Sequence, residues 1–456
     1  MNFVYRVLVA ALAIVCEGAG AAVDGSYDPS FGNGGRESVD VTDLDSDAAR
    51  VVRALPDGTL FVAGGCLNLS SGTPGVTCAA WINPDGSLAL GYGPSGSGKV
   101  RFDEYTGWPT DGILAYDARR LGDGRLAVVI GTSSGQPGYL VAVKADGSGL
   151  DPAVGNGAGY VQLPTIGTSI AIRPNGKLVI GGSVVSSSTS VPIVIAQYRS
   201  DFTLDADFGD QGLATVDFTL GGSPTVTDHV KIALQRDGKV LAITTIFGAT
   251  SGSELAIARV TENGRPDSAF GINSDGRYHS NFGASYTSGS SVLEDARGRI
   301  VFAGNSPDDT INSPWLVGRL LGGGAVDPAF NAGHPQQFLV LPANTGGGQS
   351  TSDLVLQSDG RILVTGRVDR APDSATYYFG VARLLDNGSL DGSFGLSGVS
   401  YGGLSDAPDS QSDYPASMVM ADGGLVIAGF TTVASGETRF SLSELTIDLI
   451  FADGYD

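Results

Sequence analysis

Residues 49–65 read Ala49-Arg50-Val51-Val52-Arg53-Ala54-Leu55-Pro56-Asp57-Gly58-Thr59-Leu60-Phe61-Val62-Ala63-Gly64-Gly65. Two runs rich in β-branched and apolar residues flank Pro-Asp-Gly, which is the pattern of a β-hairpin. Asp-Gly in such a setting is expected to form a type I′ turn, with positive φ at both central residues. The same shape returns around Asp123-Gly124, Asn175-Gly176, Asp237-Gly238, Arg297-Gly298, Asp359-Gly360 and Asp422-Gly423. The turn glycines Gly58, Gly124, Gly176, Gly238, Gly298, Gly360 and Gly423 are spaced by 66, 52, 62, 60, 62 and 63 residues. A nearly even period of that size marks a modular array.

Each hairpin leads through a variable loop to a third apolar run, such as Leu255 to Val260, Leu316 to Leu320 or Phe379 to Leu384. A second turn follows, at Asp85-Gly86, Asp146-Gly147 or Asn387-Gly388. Then comes a box of the form Asp-x-x-Phe-Gly. It reads Asp28-Pro29-Ser30-Phe31-Gly32, Asp205-Ala206-Asp207-Phe208-Gly209, Asp267-Ser268-Ala269-Phe270-Gly271 and Asp391-Gly392-Ser393-Phe394-Gly395. It is looser at Asp327 to Asn331 and Asp151 to Gly155, and only Tyr92-Gly93 survives in the second unit. A short fourth run closes the unit, as at Arg36 to Val41 or Gly212 to Phe218. Four short strands per unit describe a propeller blade, whose faces are buried only against neighbouring blades. The expected fold is an all-β, seven-bladed β-propeller of four-stranded antiparallel blades. An open β-solenoid is the alternative. The first fourth-type strand, Arg36 to Val41, lacks a blade of its own, and the chain ends after a third-type run, Arg439 to Leu445. The N-terminal strand is therefore expected to close the ring by completing the last blade.

The apolar-Asp-Gly-Lys/Arg-apolar-Ala-Gly hairpin and the Asp-x-x-Phe-Gly box together resemble the delta-60 repeat family of bacterial exported proteins. The likeness runs over nearly the whole chain after its N-terminal segment and is weakest in the second unit. It implies a propeller-like repeat protein and brings no catalytic residues.

The N-terminus has the form of an export signal. Arg6 precedes the apolar run Val7 to Val15, and Ala19-Gly20-Ala21 is a small-residue cleavage site. The expected organisation is a signal peptide over 1–21 and one propeller domain over 22–456, secreted or periplasmic. The apolar run is too short for a membrane span, which takes about 20 residues. Of the cysteines, Cys16 would leave with the signal. Cys66 and Cys78 are expected to pair, as thiols of exported chains usually do. The formal net charge of −21 leaves no basic stripe for nucleic acid. It also argues against anionic membranes.

No coherent catalytic set stands out. The carboxylates of the Asp boxes could hold Ca²⁺, but the oxygen-ligand spacing of an EF-hand loop is missing, so turn formation is expected and no cofactor is assigned. Gly91-Tyr92-Gly93-Pro94-Ser95-Gly96 matches a dinucleotide pattern without the βαβ unit it needs. Gly131-Thr132-Ser133-Ser134-Gly135 matches a nucleophile elbow without the following helix. His229, His279 and His334 fall at different places in their units, which speaks against one metal site. Polar residues before the inner strands remain. They are Asp47, Arg50, Asp117, Arg119, Asp228, His229, Thr351, Asp353, Asp413 and Tyr414. If they rim the central channel, they make a polar axial funnel. The expected role is that of a monomeric binding or scaffold protein taking a protein or carbohydrate ligand there. The alternative is a hydrolase or lyase that uses Asp, His and Arg groups at the same place.

Overall fold

A computed structural model describes residues 24–42, 46–67, 75–109, 111–132, 136–184, 191–218, 225–226, 229–248, 252–306, 314–334, 336–339, 349–369 and 376–448. The segment read as a signal peptide lies outside the described residues. Among those described, the structure is strand and turn, with three single-turn 3₁₀ segments and no α-helix.

The strands run in chain order. First come β1 (Arg36–Val39), β2 (Ser46–Ala54), β3 (Leu60–Leu67), β4 (Val76–Ile82) and β5 (Lys99–Arg101). Next are β6 (Gly112–Arg120), β7 (Leu126–Thr132), β8 (Tyr139–Val143), β9 (Tyr160–Gln162), β10 (Ile166–Ile172), β11 (Leu178–Ser183), β12 (Val191–Tyr198) and β13 (Leu213–Phe218). Then follow β14 (Thr225–Val226), β15 (Lys231–Leu234), β16 (Val240–Gly248), β17 (Gly252–Val260), β18 (Arg277–Ser280), β19 (Ser288–Glu294), β20 (Ile300–Asn305), β21 (Trp315–Leu320) and β22 (Gln336–Leu339). The last are β23 (Ser350–Leu356), β24 (Ile362–Asp369), β25 (Tyr377–Leu384), β26 (Val399–Gly402), β27 (Ser410–Met420), β28 (Leu425–Val433) and β29 (Thr438–Leu445).

The expectation of seven separate four-stranded blades is corrected. Five separate blade sheets form: β6–β9, β10–β13, β14–β18, β19–β22 and β23–β26. The third of these has five strands, because β14 and β15 both pair with β16 in place of one continuous inner strand. The remaining eight strands, from the two chain ends, make one continuous sheet in the order β27-β28-β29-β2-β3-β4-β5, with β1 also on β29. Its continuity rests on one parallel bridge, Ser46 to Thr438. The Ser46 and Thr438 hydroxyls meet there at 2.7 Å, and Thr438 also donates to the Asp47 carbonyl at 3.0 Å. β1 runs antiparallel to β29, from Arg36 opposite Ser443 to Val39 opposite Phe440. The inner strands touch in succession, and β27 returns to β2.

The hairpin turns also differ from expectation. In the first six hairpins only the glycine takes a positive φ, for example +83° at Gly58 and +94° at Gly124, and at the seventh Gly423 does not. The Leu55 N–H donates to Thr59 and the Gly58 N–H to Leu55. This is a three-residue loop with glycine in the left-handed position rather than a type I′ turn. The aspartate has its own reason to be there. Its carboxylate accepts the N–H two residues on, at Asp57, Asp123, Asp237 and Asp359.

The core lies in the seams between neighbouring sheets. Phe31, Phe208, Phe270, Phe330 and Phe394 of the boxes are all at most 1 % exposed. Each packs into the next unit, as Phe270 does against Ile300 and Phe302, for about 1.5–3 kcal/mol apiece. The residue after each box aromatic donates its N–H to the second turn of the next unit: Gly32 to Asp85, Gly93 (after Tyr92) to Asp146, Gly209 to Asn263, Gly271 to Gly323 and Asn331 to Asn387. At the end of the chain, Gly395 donates instead to Asp24. Asp24-Gly25 thus takes the place that the second turn of the next unit takes elsewhere.

Candidate functional site at the inner ring

His229 precedes β15 as read, but the other described polar residues read as preceding the inner strands lie within them. Asp47 and Arg50 are in β2, Asp117 and Arg119 in β6, Thr351 and Asp353 in β23, Asp413 and Tyr414 in β27. Bulges explain the difference. The pairing register shifts between Ala49 and Val51, Ala115 and Asp117, Thr351 and Asp353, and Pro415 and Ser417. An extra residue re-aims the side chains on either side of it.

Behind the bulges a belt of side chains links one inner strand to the next. Asp353 accepts from Ser291 of β19 and from Ser417 and Met418 of β27. Arg53 of β2 reaches Ser417 at 3.4 Å and pairs with Asp117 of β6. Asp117 in turn accepts from Ser169 and Ile170 of β10, and Ser169 accepts from Ile232 of β15. Arg119 also pairs with Asp117, at 2.9 Å. Burial works against the Asp117 charge, yet Arg119, Arg53 and Lys231 outweigh it and hold the carboxyl well below its ordinary value. Asp117, Arg119 and Asp353 therefore serve as ties between strands.

Asp47 stands apart from this belt. It is buried, accepts from Val41 and Thr42, and lies beside the Cys66–Cys78 disulfide. Burial raises its carboxyl to about 6. Asp47, Cys66 and Cys78 lie close enough to suggest a metal site. The sulfurs are bonded to each other, so they offer no thiolate ligand. The expected disulfide is present, with Cα atoms 5.9 Å apart. The box carboxylates are engaged too. In the Asp267, Asp327 and Asp391 boxes one oxygen accepts the N–H two residues on, and the other pairs with Arg259, Arg319 or Arg383. Each of those guanidinia also lies over its box Phe, 4.6–4.9 Å from the ring centre.

The predicted residues that meet aromatic rings are Arg50, His229 and Tyr414. The Arg50 guanidinium stands 5.9 Å from the Phe430 ring centre. Tyr414 stacks on the same ring, with centroids 4.7 Å apart and planes 9° apart. Tyr377 meets Tyr414 edge-on, and Arg367 covers Tyr377 at 4.3 Å and Tyr414 at 5.7 Å. Tyr116 meets His229 at 5.6 Å, although their inner strands are not adjacent in the ring. Desolvation lowers the Arg50 guanidinium, and the Tyr116 hydroxyl opposes that. Arg50 and His229 are exposed, while Tyr116, Arg367, Tyr377, Tyr414 and Phe430 are half-buried. Sequence reasoning missed Tyr116, Arg367, Tyr377 and Phe430. Tyr116 was within reach, since it holds the bulge position of β6 that Arg50 holds in β2. Asp228 and Ser133 lie outside the described residues.

Residues 173–208 and 357–394 match a family model described as a domain of unknown function (DUF5122) β-propeller, so the chain carries β-propeller repeats. No curated protein matches it. Among solved structures, it is similar to a Synechocystis apocarotenoid oxygenase at 10 % identity and TM-score 0.44, covering 94 % of this chain and 96 % of that one. A glucose dehydrogenase aligns at 12 % identity and TM-score 0.41, covering 73 % and 96 %. A GH43 endo-arabinanase from Bacillus licheniformis aligns at 12 % identity and TM-score 0.32, covering 61 % and 93 %. Among the described residues no helix is long and apolar enough to cross a membrane.

Proposed function

We propose that this protein is an exported binding propeller that takes an acidic polysaccharide at the mouth of its inner ring. The observation that carries this reading is the shelf of Tyr414 on Phe430 with Arg50 over the same ring and Arg367 over Tyr414 and Tyr377. Rigid aromatic faces accept the C–H face of a sugar ring, and guanidinia supply charge-assisted hydrogen bonds to carboxylates. Asp117 and Asp353 are engaged in ties between strands, which favours binding over acid–base catalysis. The disulfide supports an oxidising compartment. Affinity electrophoresis of the full chain through polygalacturonate tests the reading. Retardation is expected, and it should be lost in Arg50→Ala and Tyr414→Ala. Equal mobility with and without polygalacturonate would reject it. Release of reducing ends would instead favour the hydrolase or lyase alternative.

A further inference from the structure

A cavity opens between Arg36 of β1, Tyr378 of β25 and Tyr401 of β26. It has a volume of about 430 Å³ and is lined by Tyr27, Arg36, Tyr378, Tyr401, Ser405 and Asp406 among others. This volume falls in the range of small-ligand pockets. We propose that this cleft is a second, independent binding site for a neutral pyranose sugar.

Three observations carry the assignment. First, Arg36 lines the cleft with its Nε buried and without a hydrogen-bond partner among the described residues. Its guanidinium lies over the Tyr27 ring at 5.2 Å. A buried donor left unmade in a native fold calls for an acceptor. Second, Asp406 lines the same cleft, and no ion pair joins it to Arg36 among the described residues. One cation and one anion that line the same pocket without pairing suit a ligand that is neutral and carries both donors and acceptors, as vicinal hydroxyls do. Third, Tyr401 is 37 % exposed and offers a face on which a sugar ring can lie.

The cleft is preorganised. The Tyr27 hydroxyl donates to the Gly403 carbonyl at 2.8 Å. A side chain at Gly402 would stand 2.3 Å from that hydroxyl, so the floor stays open only with glycine there. Ser38 of β1 and Ser405 share a hydrogen bond at 2.5 Å that fixes the opposite rim.

Isothermal titration of the full chain with cellobiose, maltose and lactose, and separately with galacturonate, tests the site. Saturable binding of at least one disaccharide is expected. Tyr401→Ala and Arg36→Gln should each weaken it about tenfold, the scale of one good polar or stacking contact. Tyr414→Ala, at the inner ring, should leave it unchanged. Tyr401 lies on the exposed edge strand β26, so its variant reads binding even if Arg36→Gln loosens β1. No saturable heat with any of the three disaccharides would overturn the proposal. Binding unaffected by Tyr401→Ala would do the same. Binding of galacturonate alone, strengthened by Asp406→Asn, would overturn the neutral-sugar assignment.

Discussion

Asp117 and Asp353 hold the same place in two different inner strands. Each follows a bulge, and each accepts the N–H of the residue after a serine in the next inner strand, Ile170 at 3.0 Å and Met418 at 3.1 Å. The serine hydroxyls, Ser169 and Ser417, approach the same carboxylates at 3.3 and 3.2 Å. The inner ring is therefore tied by one device used twice, and the two copies differ on their other side, where Asp353 accepts from Ser291 and Asp117 meets cations. Asp117 is paired with Arg53 and Arg119.

That difference sets the cost of removal. Asp117→Ala leaves two guanidinia without their anion and should destabilise by about 3 kcal/mol, the scale of a broken buried pair. Asp353→Ala loses only hydrogen bonds and should cost about 1–2 kcal/mol. Urea denaturation at pH 7 measures both. Equal losses would show that the ion pairs add nothing.

Stability should peak near pH 4, at the ordinary carboxylate range. Burial raises Asp47 to about 6, and burial with help from Asp28 raises Glu444 to about 7. Groups with raised folded values contribute stability that is full at low pH and is lost as pH rises through those values. Asp117 runs the other way. Its contribution is present above the ordinary carboxylate range and is lost on acidification below about pH 4. Glu444→Gln should therefore stabilise by about 1–3 kcal/mol at pH 8, by clearly less at pH 5, and not at all at pH 4. Melting curves that track the wild type at all three pH values would refute this.

Replacing Cys66 and Cys78 by serine should lower stability by about 3 kcal/mol on the chain-entropy account of a short closed loop. The wild type under reducing conditions should show the same loss. Matched unfolding curves with and without reductant would contradict it.

Two glycines with similar backbone angles separate strain from contact. Gly264 has φ +76°, and a Cβ there would stand 2.6 Å from the Gly209 N and 3.0 Å from Phe208. Gly283 has φ +83° with nothing within 4 Å. Gly283→Ala should cost about 1 kcal/mol for the left-handed backbone alone. Gly264→Ala should cost clearly more, because it also opens the seam. Thermal denaturation of the pair decides it.

What the sequence made legible is what its local chemistry determines. The Asp-Gly turns, the Asp-x-x-Phe-Gly boxes and the Cys66–Cys78 pair each lie within one unit. The residues that join units were not legible. Nothing near Gly271 announces that its N–H reaches Gly323, and nothing near Tyr116 announces His229. The number of separate sheets was misread because it depends on one bridge, Ser46 to Thr438, between residues at opposite ends of the chain. The funnel residues were half legible. Arg50 and Tyr414 share the Phe430 ring and His229 meets Tyr116, while the bulges turned Asp117 and Asp353 into ties and burial claimed Asp47.

The pairing of Arg36–Val39 with β29 has a consequence for the order of folding. The strand made first needs a partner made about 400 residues later, and contacts so distant in sequence form slowly. Until β29 arrives, β1 has no edge to join and the open sheet can pair with other chains. Closure is then expected to be the last step of folding, on the native side of the barrier. Weakening β1 should then speed unfolding far more than it slows folding. The lifetime of the finished ring is governed at the two ends of the chain.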